Sequence, residues 1–172
     1  MNKPILKVLR LHPDAILPKY QTAGAACFDL HAVDIRGFTL EEHKVLQRGD
    51  ALVDGPRRDL FLQAGGSVIV RTGLSFEVPA GFTMLIFSRS GHGFTDNVRL
   101  SNCVGVIDSD YRGELKVKLA MDGRHLEPRF EIKSGDRIAQ AMLIPSQQWH
   151  LQEVSALTST ERGGQGFGST GS

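Results

Sequence analysis

The chain has 172 residues, with 20 basic and 19 acidic side chains, enough for one well-buried domain and short for two. This near-balance of charge gives no footprint for a nucleic-acid polyanion or an anionic membrane as partner. Two cysteines without CxxC spacing, and six histidines without HExxH or paired-ligand spacing, argue against a disulfide scaffold and a zinc site. The first residues, Met1-Asn2-Lys3-Pro4-Ile5-Leu6, lack the apolar core of a signal peptide, and no apolar run approaches bilayer length. The expectation is a soluble protein of the cytoplasm, or of a host's cytoplasm for a viral chain.

In chain order, the segment from about Arg36 to Asp59 is charged and contains a possible helix. Thr39 would cap it, Glu42 follows three residues later, and Gly49 stands just past its end. A solvated insertion without chemistry and a protein-binding excursion both fit this stretch. Ser67–Val70 and Leu74–Val78 read as strands separated by Thr72-Gly73, and Phe82–Phe87 as a buried strand after Pro79-Ala80-Gly81. Leu115–Leu119 alternates, so one face is buried and the other wet. Phe130–Lys133 alternates again, and the Ser134-Gly135-Asp136 turn leads into the apolar run Ile138–Ile144. Glycines and prolines punctuate these runs at intervals of about 8–12 residues, the pattern of an antiparallel, all-β sandwich or barrel. From about Thr158 the chain is rich in Ser, Thr and Gly, a composition expected to be disordered in isolation. Phe167, with Arg162 five residues before it, lets the same tail be read as a strap that folds over an anionic aromatic ligand. The domain reading is a body over residues 1–157 and a glycine-rich lid over 158–172.

Two segments carry chemistry. In Asn102–Gly113 the apolar pair Val106-Ile107 runs into Asp108, Asp110 and Tyr111 between glycines, in the manner of a tight hairpin. An aspartate held there can orient and deprotonate a water, and the tyrosine ring can wall a sugar pocket; an Asx-rich turn with a surface tyrosine would look similar. Ser88-Arg89-Ser90-Gly91-His92-Gly93 places a cation and hydroxyls beside flexible backbone, a combination suited to phosphate oxygens. Neither a Walker loop nor a GxGxxG turn after a strand is present.

Taken together these segments resemble the five ordered motifs of the trimeric dUTPases. The motifs are Ala23–Leu30, Ser88–Gly91, Gly105–Gly113, Gly135–Gln140 and the Arg162–Gly171 tail, and the likeness runs from about residue 5 to the end. The resemblance implies a jelly-roll-like β-barrel and a homotrimer with active sites at subunit interfaces. It implies hydrolysis of dUTP to dUMP and pyrophosphate, which limits uracil incorporation into DNA and supplies dUMP for dTMP synthesis. Residue by residue, it implies that Asp108 is the general base and that Tyr111 packs under the deoxyribose. Asn102 and the backbone around Gly105 would read uracil, and Phe167 would stack on it as the tail closes. Arg89, Ser90, Gln140, Arg162, Ser169 and Thr170 would hold the phosphates, and Gly91 and Gly168 would also bind substrate. The implied cofactor is Mg2+, held mainly by the triphosphate, with Asp29 supporting it through its water shell.

Departures from the family pattern are Cys27 where a glycine is usual, Ser88 before Arg89, Gln165 in the tail, and the long charged stretch at 36–59. That stretch leaves room for a protein partner. The related dCTP deaminases place a catalytic Glu about ten residues past the motif Asp, where this chain has Lys118. A non-catalytic nucleotide sensor would have no need of Asp108, and a plain β-sandwich adhesion module would leave the tail unexplained.

Overall fold

The computed structural model describes residues 4–33, 51–54, 59–122 and 129–165. Short strands of three to nine residues dominate because the sequence supplies β-branched and aromatic runs broken by turn residues. The largest sheet has four strands in the order β2 (Phe28–His31), β12 (Arg137–Pro145), β7 (Phe82–Phe87) and β9 (Val104–Ile107). A second joins β5 (Ser67–Arg71), β10 (Lys116–Met121) and β8 (Val98–Leu100). A third joins β11 (Arg129–Ile132), β4 (Asp59–Gln63) and β3 (Ala51–Asp54), and β1 (Lys7–Arg10) pairs with β6 (Leu74–Glu77). The expected all-β architecture is what the chain adopts.

The core forms where the inner faces of these sheets meet. On β10 and the residue before it, Leu115, Val117 and Leu119 are buried while Lys116 and Lys118 are exposed, as the alternation predicts. Val68 and Val70 of β5 face the same core, and each large aliphatic side chain removed from water contributes about 1.5–3 kcal/mol. Gly73 marks a tight crossing: its φ is +65° and an added Cβ would lie 2.9 Å from the His12 Cβ, so only glycine fits.

Three local expectations need correction. Phe82–Phe87 is central in its sheet but not buried on both faces: Met84 and Ile86 are buried, while Thr83, Leu85 and Phe87 on the opposite face are only half-buried. The charged stretch at 36–59 ends earlier than its composition suggests, because Ala51–Asp54 is a strand paired with β4; backbone pairing is indifferent to the charges that mark the segment. The possible helix after Thr39 lies outside the described residues. Finally, Asn102–Gly113 is not one hairpin. β9 pairs with β7, whereas β10 pairs with β5 and β8, so residues 108–115 carry the chain from one sheet to another. The tight turn lies earlier, where Cys103 takes a left-handed φ of 62° between β8 and β9.

Candidate active site

One cluster of the expected residues forms where β2, β12 and the end of β7 lie side by side. Asp29 of β2 is buried and sits opposite Gln140 of β12, which in turn sits opposite Phe87 of β7. Gln140 Nε2 donates to the Ser88 carbonyl at 2.9 Å, tying the strand to the loop that carries Arg89 and Ser90. A bulge between Arg137 and Ala139 inserts Ile138 into the β2–β12 ladder. One extra residue reverses the side-chain alternation, so Arg137 and Gln140, three positions apart, share the face of Asp29. Arg137 donates to Asp29 Oδ2 at 3.2 Å, and the Arg89 Nε stands 3.7 Å from Oδ1. Arg89 also donates through Nη1 to the Arg137 carbonyl at 3.0 Å.

Two histidines flank this cluster. His31 is buried, with no hydrogen-bond partner for Nδ1; burial holds its pKa below the ordinary value, Asp29 opposes that, and Arg137 reinforces it. His92 opens a short π-helical turn, His92–Asp96, and its Nε2 lies 3.0 Å from Arg89 Nη1. The loop expected to be merely flexible is therefore a built helical turn. Cys27, beside the cluster, has its thiol pKa raised by burial and then by the charge of Asp29. Arg137 lies within the Gly135–Gln140 motif and His92 just past Ser88–Gly91; the sequence signal for either is only its place three positions from Gln140 or Arg89.

A second group lines a groove between β9 and β10. Asp108 and Tyr111 form part of a recess of about 360 Å3 with Val106, Glu114 and Lys116. An adjoining recess of about 360 Å3 shares Val106, Ile107, Leu115 and Lys116 and adds Asn102, Gly105 and Lys118. Gly105 is required there, since a Cβ would lie 3.0 Å from that of Ile86. At Gly113 a Cβ would meet the Tyr111 ring and hydroxyl, so a side chain there would displace the ring. The Tyr111 hydroxyl donates to the Glu114 carbonyl at 3.0 Å and its N–H to the Asp108 carbonyl at 3.3 Å. The side chain is thereby held beside Asp108, where it lines the recess.

Arg89 and Asp108 stand apart within one chain. β7 and β9 run antiparallel with Phe87 opposite Val104, so Arg89 lies past the Val104 end of β9 and Asp108 past its Ile107 end, and the strand between them alone spans roughly 10 Å at about 3.3 Å per residue. Ser90, Gly91 and Asn102 are exposed at their respective edges. In the tail, Arg162 donates to the Gln165 carbonyl at 3.1 Å within a local turn. Phe167, Gly168, Ser169 and Thr170 lie outside the described residues. No cluster of three or more potential metal-binding His, Cys, Asp or Glu side chains occurs among the described residues. No helix there is long and apolar enough to cross a membrane.

Comparison with known proteins bears on this arrangement. The dUTPase family model matches residues 55–171. A deoxyuridine 5'-triphosphate nucleotidohydrolase of Nautilia profundicola is 39% identical over 166 residues, covering 96% of this chain and 98% of that one. The chain belongs to the dUTPase family. Its fold also matches that of the dUTPase of Staphylococcus bacteriophage 80alpha, solved with dUPNHPP, at a TM-score of 0.75 and 21% identity, covering 99% of this chain and 100% of that one. A dUTPase from phage phi11 of S. aureus, described for its coordination of a structural Mg(II) ion, superposes at 0.65 with 18% identity, over 89% of this chain and 98% of its own. The dUTPase motifs assigned from sequence thus fall on the two clusters, with Asp29, Arg89 and Gln140 in one and Asn102, Gly105, Asp108 and Tyr111 in the other.

Proposed function

We propose that this chain is a dUTP diphosphatase that hydrolyses dUTP to dUMP and pyrophosphate by water attack on the α-phosphorus. The observation that carries the reading is the groove that sets Asp108 and the fixed Tyr111 ring beside a recess lined by Asn102 and Gly105. Base, sugar and α-phosphate of a deoxynucleotide follow one another in that order. Asn102 and the β9 backbone offer donors and acceptors to a uracil edge, and the confined recess disfavours a thymine methyl. Tyr111 under the deoxyribose leaves no room for a ribose 2′-hydroxyl. Asp108, exposed at the groove mouth, orients the attacking water and takes its proton.

Phosphate charge is met by Arg89, Ser90 and Gln140, and their distance from Asp108 supports a composite site. One copy supplies the nucleoside groove and a second supplies the phosphate cluster, as in a ring of identical subunits. We assign a homotrimer. The segment after β12 supports it, since residues 146–157 join no strand and expose Trp149, Leu151, Val154 and Leu157, apolar surface that a second copy would cover. The tail from about residue 158 then closes over bound nucleotide, with Arg162, Ser169 and Thr170 on phosphates, the Gly168 backbone beside them and Phe167 on the base. Ordering it only after binding excludes water from the reacting centre.

The donor set fits Mg2+ in one way. Both Asp29 oxygens already face arginines, and no protein cage surrounds them among the described residues. That is the pattern for an ion held by substrate phosphates that keeps several waters; Asp29 would meet it through that water shell. When bound, the ion supplies charge stabilisation on the triphosphate oxygens. The deaminase alternative is disfavoured by Lys118, a cation at the groove where that chemistry needs a carboxylate. The test is pyrophosphate release from dUTP, dCTP, dTTP and UTP with Mg2+. Turnover of dUTP alone is expected; deamination of dCTP, or no turnover of any, would overturn the reading.

A further inference from the structure

We propose that His92 is a positioning residue for Arg89, its neutral imidazole accepting a hydrogen bond that aims the guanidinium at substrate phosphate. The inference rests on the reading of Arg89 as a phosphate ligand. Arg89 Nη1 and His92 Nε2 are 3.0 Å apart. A guanidinium only donates, so Nε2 must be the acceptor and Nδ1 must carry the ring proton. Nδ1 is buried without a hydrogen-bond partner, and the ring meets Phe130 edge-on at 4.9 Å and 64°. A leucine of similar size would fill that place against Phe130 without burying an orphan donor. The contact with Arg89 is what the imidazole adds.

The geometry makes that contact effective. Arg89 is held by acceptors on three separate elements: His92 on the helical turn, the Arg137 carbonyl on β12 and Asp29 on β2. Two of them share Nη1, which fixes the rotation of the guanidinium plane. His92 is the only one of the three that protonation within the working pH range would convert from acceptor to donor. Imidazolium has no lone pair to offer and would set two cations side by side. The charged groups facing the ring are Arg89 and Arg137 on one account and Asp96 and Asp136 on the other. Burial first, and Arg89 next, hold its pKa below the ordinary 6.5, against Asp96 and Asp136. The ring is therefore neutral at neutral pH, and acidification releases Arg89.

The test combines a spectroscopic and a kinetic readout on the full chain. Nitrogen-15 NMR of the His92 ring at pH 7.5 should show the Nδ1–H tautomer; the Nε2–H tautomer or an imidazolium would overturn the proposal. This result does not depend on turnover, so a chain that shows the Nδ1–H tautomer but fails to hydrolyse dUTP would sink the parent reading and not the hydrogen bond. His92→Leu should raise KM for dUTP roughly tenfold, the scale of a lost hydrogen bond to a charged group, with kcat nearly unchanged. His92→Gln, whose side-chain oxygen can accept from Arg89, should restore most of that loss and remove the His92 step from the acid limb of 1/KM. Wild-type KM in both variants would overturn the proposal. Should His92→Leu fail to fold, the glutamine variant's pH profile and the tautomer still decide it, since an unchanged acid limb counts against it.

Discussion

At the scale of single residues, we assign chemistry to Asp108 and shape to Tyr111. Asp108→Asn keeps the side chain's volume and removes its basicity. It should lower kcat by about a hundred- to ten-thousand-fold, the range for a lost general base. Calorimetric binding of a non-hydrolysable dUTP analogue should be unchanged; lost binding would mean that Asp108 is structural. The buried histidines bear on stability in a way fixed by sign. Burial lowers the pKa of His31 and His92 from 6.5 in the fold, so the unfolded chain binds more protons as pH falls. Stability is fully present above about pH 6.5 and declines below it, down through the lowered folded values. Denaturant midpoints at pH 7.5 and 5.5 should therefore differ, with the lower midpoint at pH 5.5 and most of the difference removed in a chain carrying His31→Phe and His92→Gln. These residues were hard to see in sequence. Asp108 and Tyr111 announce themselves because a carboxylate, an aromatic ring and close-fitting glycines are adjacent in the chain. The Asp29–Arg89–Arg137–His92 constellation joins residues from opposite parts of the chain, and only strand pairing assembles it.

At the scale of elements, legibility follows side-chain periodicity. Leu115–Leu119 was readable because Lys116 and Lys118 alternate with three buried aliphatics on a strand wet on one face. Leu119→Ala in that core should cost about 2–5 kcal/mol in urea unfolding; less than ~1 kcal/mol would show that the site collapses around the cavity. Ser67–Val70 was legible as a β-branched run bounded by turn residues. Strands such as Lys7–Arg10, with no fully buried side chain, and Val98–Leu100, only three residues long, carry too little pattern to detect. The bulge at Ile138 was invisible because its cause is a mismatch with another strand, although it decides which face Arg137 and Gln140 occupy. The crossover after Asp108 was misread as a hairpin since its turn residues suit either, and the choice is made by long-range pairing of β9 with β7. The C-terminal segment had a compositional signal but no periodic one. Removing residues 163–172 should reduce kcat about a hundredfold or more, as expected when part of a site's positioning is lost, without shifting the thermal midpoint. Full activity of the truncated chain would refute the lid.

At the scale of the whole molecule, the separation of Asp108 from Arg89 is what supports the proposed trimer. With Asp108 past one end of β9 and the cation cluster past the other, we propose that one triphosphate is served by an assembly and not by a single chain. In the proposed trimer, a closed ring of heterologous contacts would set each groove against a neighbour's cluster. The direct measurement is complementation. Asp108→Asn and Arg89→Ala chains, each nearly inactive alone, are unfolded, mixed in equal amounts and refolded together. Sites shared between neighbours predict recovery of about one quarter of wild-type dUTP hydrolysis, because random assembly in a ring pairs an intact Asp108 with an intact Arg89 that often. Recovery of no activity from properly assembled mixed oligomers would contradict the account.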